Sequence, residues 1–111
     1  MAYDEELADR LRELLAGEPG LAEKKMFGGL AFLIGGNMAI AASGQGGVLV
    51  RADPMGSEKL VRSSDAELAV MGGRPMEGWL RVAPEHLRTQ AQLGKWANLG
   101  AAYARSLPAK K

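Results

Sequence analysis

The chain has no cysteine. Disulfides, thiolate nucleophiles and cysteine-based zinc sites are therefore excluded together. Its one histidine, His86, also excludes a multi-histidine metal site. No run approaches the ~18 apolar residues that a membrane-spanning helix needs. The amino terminus, Met1-Ala2-Tyr3-Asp4-Glu5-Glu6, is acidic where a signal peptide is basic. These absences lead to the expectation of a soluble, cytoplasmic protein with no membrane association. Aromatic residues are scarce as well, at 5%. Trp96 and Tyr103, seven apart on one helical stripe, are assigned to the core rather than to a base-stacking platform.

What is present suits one globular domain. A chain of 111 residues has the size of a single domain and can bury about two thirds of the surface its unfolded form exposes. Neither the 47% apolar nor the 24% charged fraction suggests disorder. Net charge is only +1, but it is unevenly spread: residues 1–80 carry 8 basic and 12 acidic side chains, and residues 81–111 carry 6 and 1. A phosphate-seeking tail is one reading of that asymmetry. The plainer reading is a basic C-terminal helix packed near an acidic N-terminal one.

Leu7, Leu11, Leu14 and Leu15 follow a 3.6-residue period, which predicts an amphipathic helix over 4–16, capped by Asp4 and stopped by Gly17 and Pro19-Gly20. Strands follow over 21–27, 30–34, 38–43 and 48–51, with Gly35-Gly36-Asn37 as a tight turn. Asp53-Pro54 reads as cap and first residue of a short helix to about 62. Two more strands are expected at 67–71 and 79–82, although Ser64-Asp65-Ala66-Glu67 also matches a capping box. The last helical region should run from Pro84 to about Ser106 with a bend, or two abutting helices, near Gly94, where its apolar stripe shifts, and leave 108–111 loose. The whole is an α+β domain over 1–107: an antiparallel β meander with an N-terminal helix, a short middle helix and a long, bent C-terminal helix. No internal repeat or linker interrupts it.

Strand alternation places Leu30, Phe32 and Ile34 on one face and Ala31 and Leu33 on the other. It also groups Met38, Ile40 and Ala42, with Ala39 and Ala41 opposite. Both faces are apolar, so something must cover the second: helices split across the sheet, or a second copy of the chain. The expectation leans to a homodimer.

Lys24-Lys25-Met26-Phe27-Gly28-Gly29-Leu30-Ala31-Phe32, followed by Gly36-Asn37-Met38-Ala39, resembles the N-terminal domain of the TfoX/Sxy family of bacterial competence regulators. Val50-Arg51-Ala52-Asp53 matches the strand that follows, and Gly73-Arg74-Pro75-Met76 with Gly78-Trp79 is similar to a second block. The resemblance spans about residues 10–105 and implies an α+β fold and a regulatory, non-enzymatic role. Full-length competence regulators of the family add a helical C-terminal domain, and this chain ends before one could begin. No catalytic, cofactor or metal residues carry over.

Other chemistry finds weaker footing. The paired glycines lack the Lys and Ser/Thr of a phosphate loop and the strand-turn-helix setting of a dinucleotide site, so they read as turns. His86 falls in the first turn of the last helix, where the dipole favours a neutral ring, yet no partner Ser or Asp stands beside it in a motif. The candidate interaction surface comprises Lys25, Arg51, Arg74 and Arg81. Its plain alternative has Asp53 capping a helix and Arg51 paired with a carboxylate. The leading function is a regulatory domain contacting a still unidentified protein partner, without a cofactor. The runner-up is weak nucleic-acid binding through Arg81, Arg88, Lys95, Arg105, Lys110 and Lys111. An enzyme working with carboxylates alone is third.

Overall fold

In the computed structural model, residues 4–26, 28–44, 46–64, 66–71 and 73–108 are described. Phe27 at the expected end of the first strand, Asp65 in the expected capping box and the tail at 109–111 lie outside them. Helix α1 (Glu5–Leu15) starts where Asp4, itself extended, accepts the Leu7 N–H on Oδ1 at 3.2 Å. Glu5 and Glu6 in its first turn complement the positive end of the dipole. Leu7, Ala8, Leu11 and Leu15 form its buried stripe.

Six strands follow: β1 (Leu21–Met26), β2 (Gly29–Ile34), β3 (Asn37–Ala42), β4 (Val48–Arg51), β5 (Glu67–Met71) and β6 (Arg74–Val82). They make one antiparallel sheet in the order β1-β2-β3-β4-β6-β5, so the last hairpin docks on β4 through β6. Ile34 pairs with Asn37 across a two-residue turn in which Gly35 and Gly36 have φ of 59° and 82°. That left-handed pair matches the strand twist, which is why glycine stands at both places. Asn37, expected in the turn, is the first residue of β3.

The register shifts between Phe32 and Leu33: Phe32 opposes Ile40, while Leu33 opposes Met38. Ala39 is the extra residue, a β-bulge. One inserted residue reverses the phase of side chains along a strand, so the expected grouping of Met38 with Ile40 and Ala42 fails. Ile40 and Ala42 lie with Leu30, Phe32 and Ile34 beneath the helices, as does Ala39, and Met38 lies opposite with Ala31 and Ala41.

Two helix starts differ from expectation for local reasons. Asp53 does not cap α2 (Ser57–Ser63), whose N-cap is Gly56. Its Oδ1 instead accepts the Met55 N–H and its carbonyl the Gly56 N–H, both at 3.0 Å, closing an Asx-type turn ahead of the helix. The C-terminal helical region breaks at 87–89, not at Gly94. A 3-10 turn (Pro84–His86) ends there, and α3 (Gln90–Ser106) begins with a reciprocal cap: Thr89 Oγ1 accepts the Gln92 N–H, and Gln92 Oε1 accepts the Thr89 N–H, each at 3.1 Å. The two apolar stripes in the sequence thus belong to two segments, with Leu87 buried on the first and Leu93, Trp96, Ala97, Gly100, Ala101 and Ala104 on the second.

All three helices pack on one face of the sheet. There α3 lies directly on the β3 bulge: a Cβ added at Gly100 would sit 2.2 Å from the Ala39 carbonyl oxygen. No side chain larger than hydrogen fits that approach. The charge asymmetry has the plainer explanation, because α1 packs against α3 and Arg105 of α3 holds Glu18 after α1. Arg12 of α1 also reaches β1, donating from Nε and Nη2 to Glu23 Oε2 and Oε1 at 2.8 Å each. These hydrogen bonds hold the Glu23 carboxyl below the usual glutamate range; partial desolvation opposes the shift and charge attraction adds to it.

Candidate functional site

The second face of the sheet is built differently. Ala31, Met38, Ala41, Leu49 and Ala69 form an apolar cluster there, with Met26, Leu33 and Trp79 packed against it. No helix residue belongs to this cluster, and among the described residues no helix covers the face. One cross-strand row runs Lys24, Ala31, Ala41, Leu49, Arg81, Glu67. Its β1 end is cationic at Lys24, its centre is apolar, and its other end sets Arg81 on β6 beside Glu67 on β5. The alanines keep the middle of the sheet low, and the longer side chains beside them rise around it.

A groove of about 750 Å³ lies towards one end of this face. Lys24, Met26, Leu33, Met38, Arg51 and Trp79 line it. Leu107 and Pro108, just past α3, close one end. They are held there because Nδ2 of the buried Asn37 donates to the Pro108 carbonyl at 2.9 Å. Pro108 belongs to the segment expected to be loose.

Arg51 is the chemically distinctive residue of the groove. It ends β4 opposite Trp79 on β6. Its Cζ lies 4.6 Å from the Trp79 ring centroid and 5.6 Å from that of Tyr103 on α3. Such cation–π contacts are worth ~0.5–2 kcal/mol each. The expected carboxylate partner is absent: Arg51 stacks on rings, and among the described residues no Asp or Glu lines the groove. Its Nε is buried and makes no hydrogen bond.

The other sequence candidates scatter. Arg81 shares the open face but points its Nη2 to the Gly46 carbonyl at 3.4 Å, in a smaller concavity of about 320 Å³ with Glu67 and His86. Lys25 opposes Leu30, which places it on the helix-side face of the outermost strand β1. Arg74 is exposed where β5 turns into β6. His86 sits in the 3-10 turn rather than in α3. The cations of the nucleic-acid reading are not gathered into one patch. Arg81 is on the open face, Arg88 is exposed before α3, Lys95 lies 5.0 Å from the Trp96 ring and Arg105 holds Glu18. Lys110 and Lys111 lie outside the described residues.

Sequence reasoning missed Lys24, Met38 and Trp79. Of the adjacent Lys24 and Lys25, only the register Met26 opposite Gly29 decides which one faces the groove. Met38 was misplaced by the bulge. Trp79 carries no local signal that it meets Arg51.

The family described as the TfoX N-terminal domain matches this chain over residues 13–104, most of its length. No curated protein matches it significantly.

Proposed function

We propose, from the premise that the chain belongs to the TfoX N-terminal domain family, that it is a small non-enzymatic regulatory domain that works by contact. Its working surface is the open face of the sheet. The observation that carries this reading is the apolar cluster of Ala31, Met38, Ala41, Leu49 and Ala69, over which no helix lies among the described residues. The cluster itself is buried within the chain, and the partly buried Met26, Leu33 and Trp79 packed on it give the face its apolar outer surface, which supports an interaction role.

The occupant we assign to it is a second copy of the chain. Sheets stack face to face at a separation of ~10 Å, and a row of small side chains permits that approach. The row also ends in opposite charges, Lys24 on β1 and Glu67 on β5, with Arg81 next to Glu67. A twofold axis parallel to the strands sets Lys24 of one copy against the β5 end of the other, where Glu67 lies.

Sedimentation equilibrium at micromolar concentration tests this directly, with a dimer as the expected species. Lys24→Glu should weaken the dimer, and adding Glu67→Lys should restore it. A native chain that stays monomeric, or a charge exchange with no effect in either step, would overturn the assignment.

A further inference from the structure

We infer that the groove beside Arg51 is a binding site for a small amphiphilic anion, a carboxylate on a linear apolar chain. This goes beyond the pairing of copies, since it rests on the end of the face and on one side chain that the row does not include.

The first ground is the state of Arg51. A guanidinium carries its donors in its own plane, in a fork that matches the two oxygens of a carboxylate. Contacts of Arg51 Cζ with the Trp79 and Tyr103 rings satisfy its charge in part but accept none of its N–H donors in the plane. Nε is nevertheless buried without a partner. Buried donors left unpaired are rare and costly, and among the described residues no carboxylate in the groove answers this one. An acceptor brought by a ligand would.

The second ground is what lies next to that donor. Met38 on β3 and Leu33 on β2, which oppose each other, line the groove with Arg51, as does Met26 at the far end of β1. They offer an apolar track with two unbranched thioether side chains, the kind that moulds to a linear chain. Lys24 stands at the far wall, so the positive potential does not end at Arg51. The volume, about 750 Å³, falls within the ~300–1,000 Å³ typical of small-molecule sites. A polar anion alone would leave the track bare, and an apolar chain alone would leave the guanidinium unpaired.

The test titrates the full-length chain with decanoate, 1-decanol and acetate below their aggregation limits, using calorimetry and tryptophan emission. Trp79 lines the groove, whereas Trp96 is buried in the core, so a ligand-induced change reports the site. Decanoate should bind saturably, one per chain, at least ~10-fold more tightly than decanol and more than ~100-fold more tightly than acetate. Arg51→Met should weaken decanoate by ~10-fold or more and leave decanol unchanged. Leu33→Asp, which adds a carboxylate to the track without touching Arg51, should weaken decanoate by a similar factor. Lys24→Gln should cost only ~2–3-fold. No saturable binding of decanoate, decanol binding as tightly as decanoate, or both Arg51→Met and Leu33→Asp binding like the native chain would each overturn the site. Sedimentation of the same samples reads pairing separately, so loss of ligand and loss of dimer are distinguishable.

Discussion

Phe32 and Leu33 are neighbours in sequence and lie on opposite faces of one strand, and their surroundings differ in kind. Phe32 is fully buried in a core shared with Ile40, Val50, Leu80 and Trp96, under helices that the same chain supplies. Leu33 is partly buried against a layer of alanines and methionines that, among the described residues, no helix overlies. The first face is filled with large side chains that interlock across layers, which is how interiors reach close packing. The second is low because its central residues are small, and they are shielded by their own neighbours. An apolar face can therefore be part of the fold's foundation or only a surface awaiting contact, and alternation in the sequence does not tell the two apart.

Substitutions can break or sharpen that contrast. The largest effect should come from Phe32→Ala, which opens a cavity in the covered core and should cost about 3–5 kcal/mol in denaturant unfolding. Leu33→Ala next to it should cost at most ~1 kcal/mol; equal costs would erase the distinction between the faces. Gly100→Ala should follow at ~1–3 kcal/mol, because the new methyl meets the Ala39 carbonyl and α3 must lift from the bulge. Thr89→Ala, which removes one arm of the reciprocal cap, should cost about 1 kcal/mol with no change in pairing on the open face.

The smallest effect concerns pH and belongs to the covered side. Glu23 has a lowered folded-state pKa, so its bond to Arg12 contributes stability that is fully present above the ordinary glutamate value. That contribution is lost as pH falls from there through the lower folded value. The pair is solvent-exposed, so the loss should be slight. Comparing native chain and Glu23→Gln by urea unfolding at neutral pH and in that acidic window should show the difference between them shrink as pH falls.

Much of the fold was legible because its signals are local. The leucine period fixed α1, the paired glycines fixed the β2–β3 turn, and two-sided apolar strands announced that a second face would need explaining. Features that depend on distant partners were not legible. The bulge at Ala39 exists because α3 lands there on Gly100, sixty-one residues later in the chain. The break before α3 did have a local sign, Thr89 with Gln92, but the shift of stripes drew the expected bend to Gly94. Of the groove, Arg51 could be picked from a family-like stretch. Its meeting with Trp79 and Tyr103 brings together β4, β6 and α3, which no single window of sequence contains.

The outermost strand β1 holds Glu23, Lys24 and Lys25 in succession. A sheet border exposes unpaired backbone donors and acceptors that invite another strand, and charged residues there discourage the addition. The other border, β5, is short and irregular between Leu68 and Ala69. Lateral polymerisation is thereby discouraged at both margins. The pairing proposed for the open face uses one side per molecule, a valency of one, and would close at two copies rather than grow into a fibril.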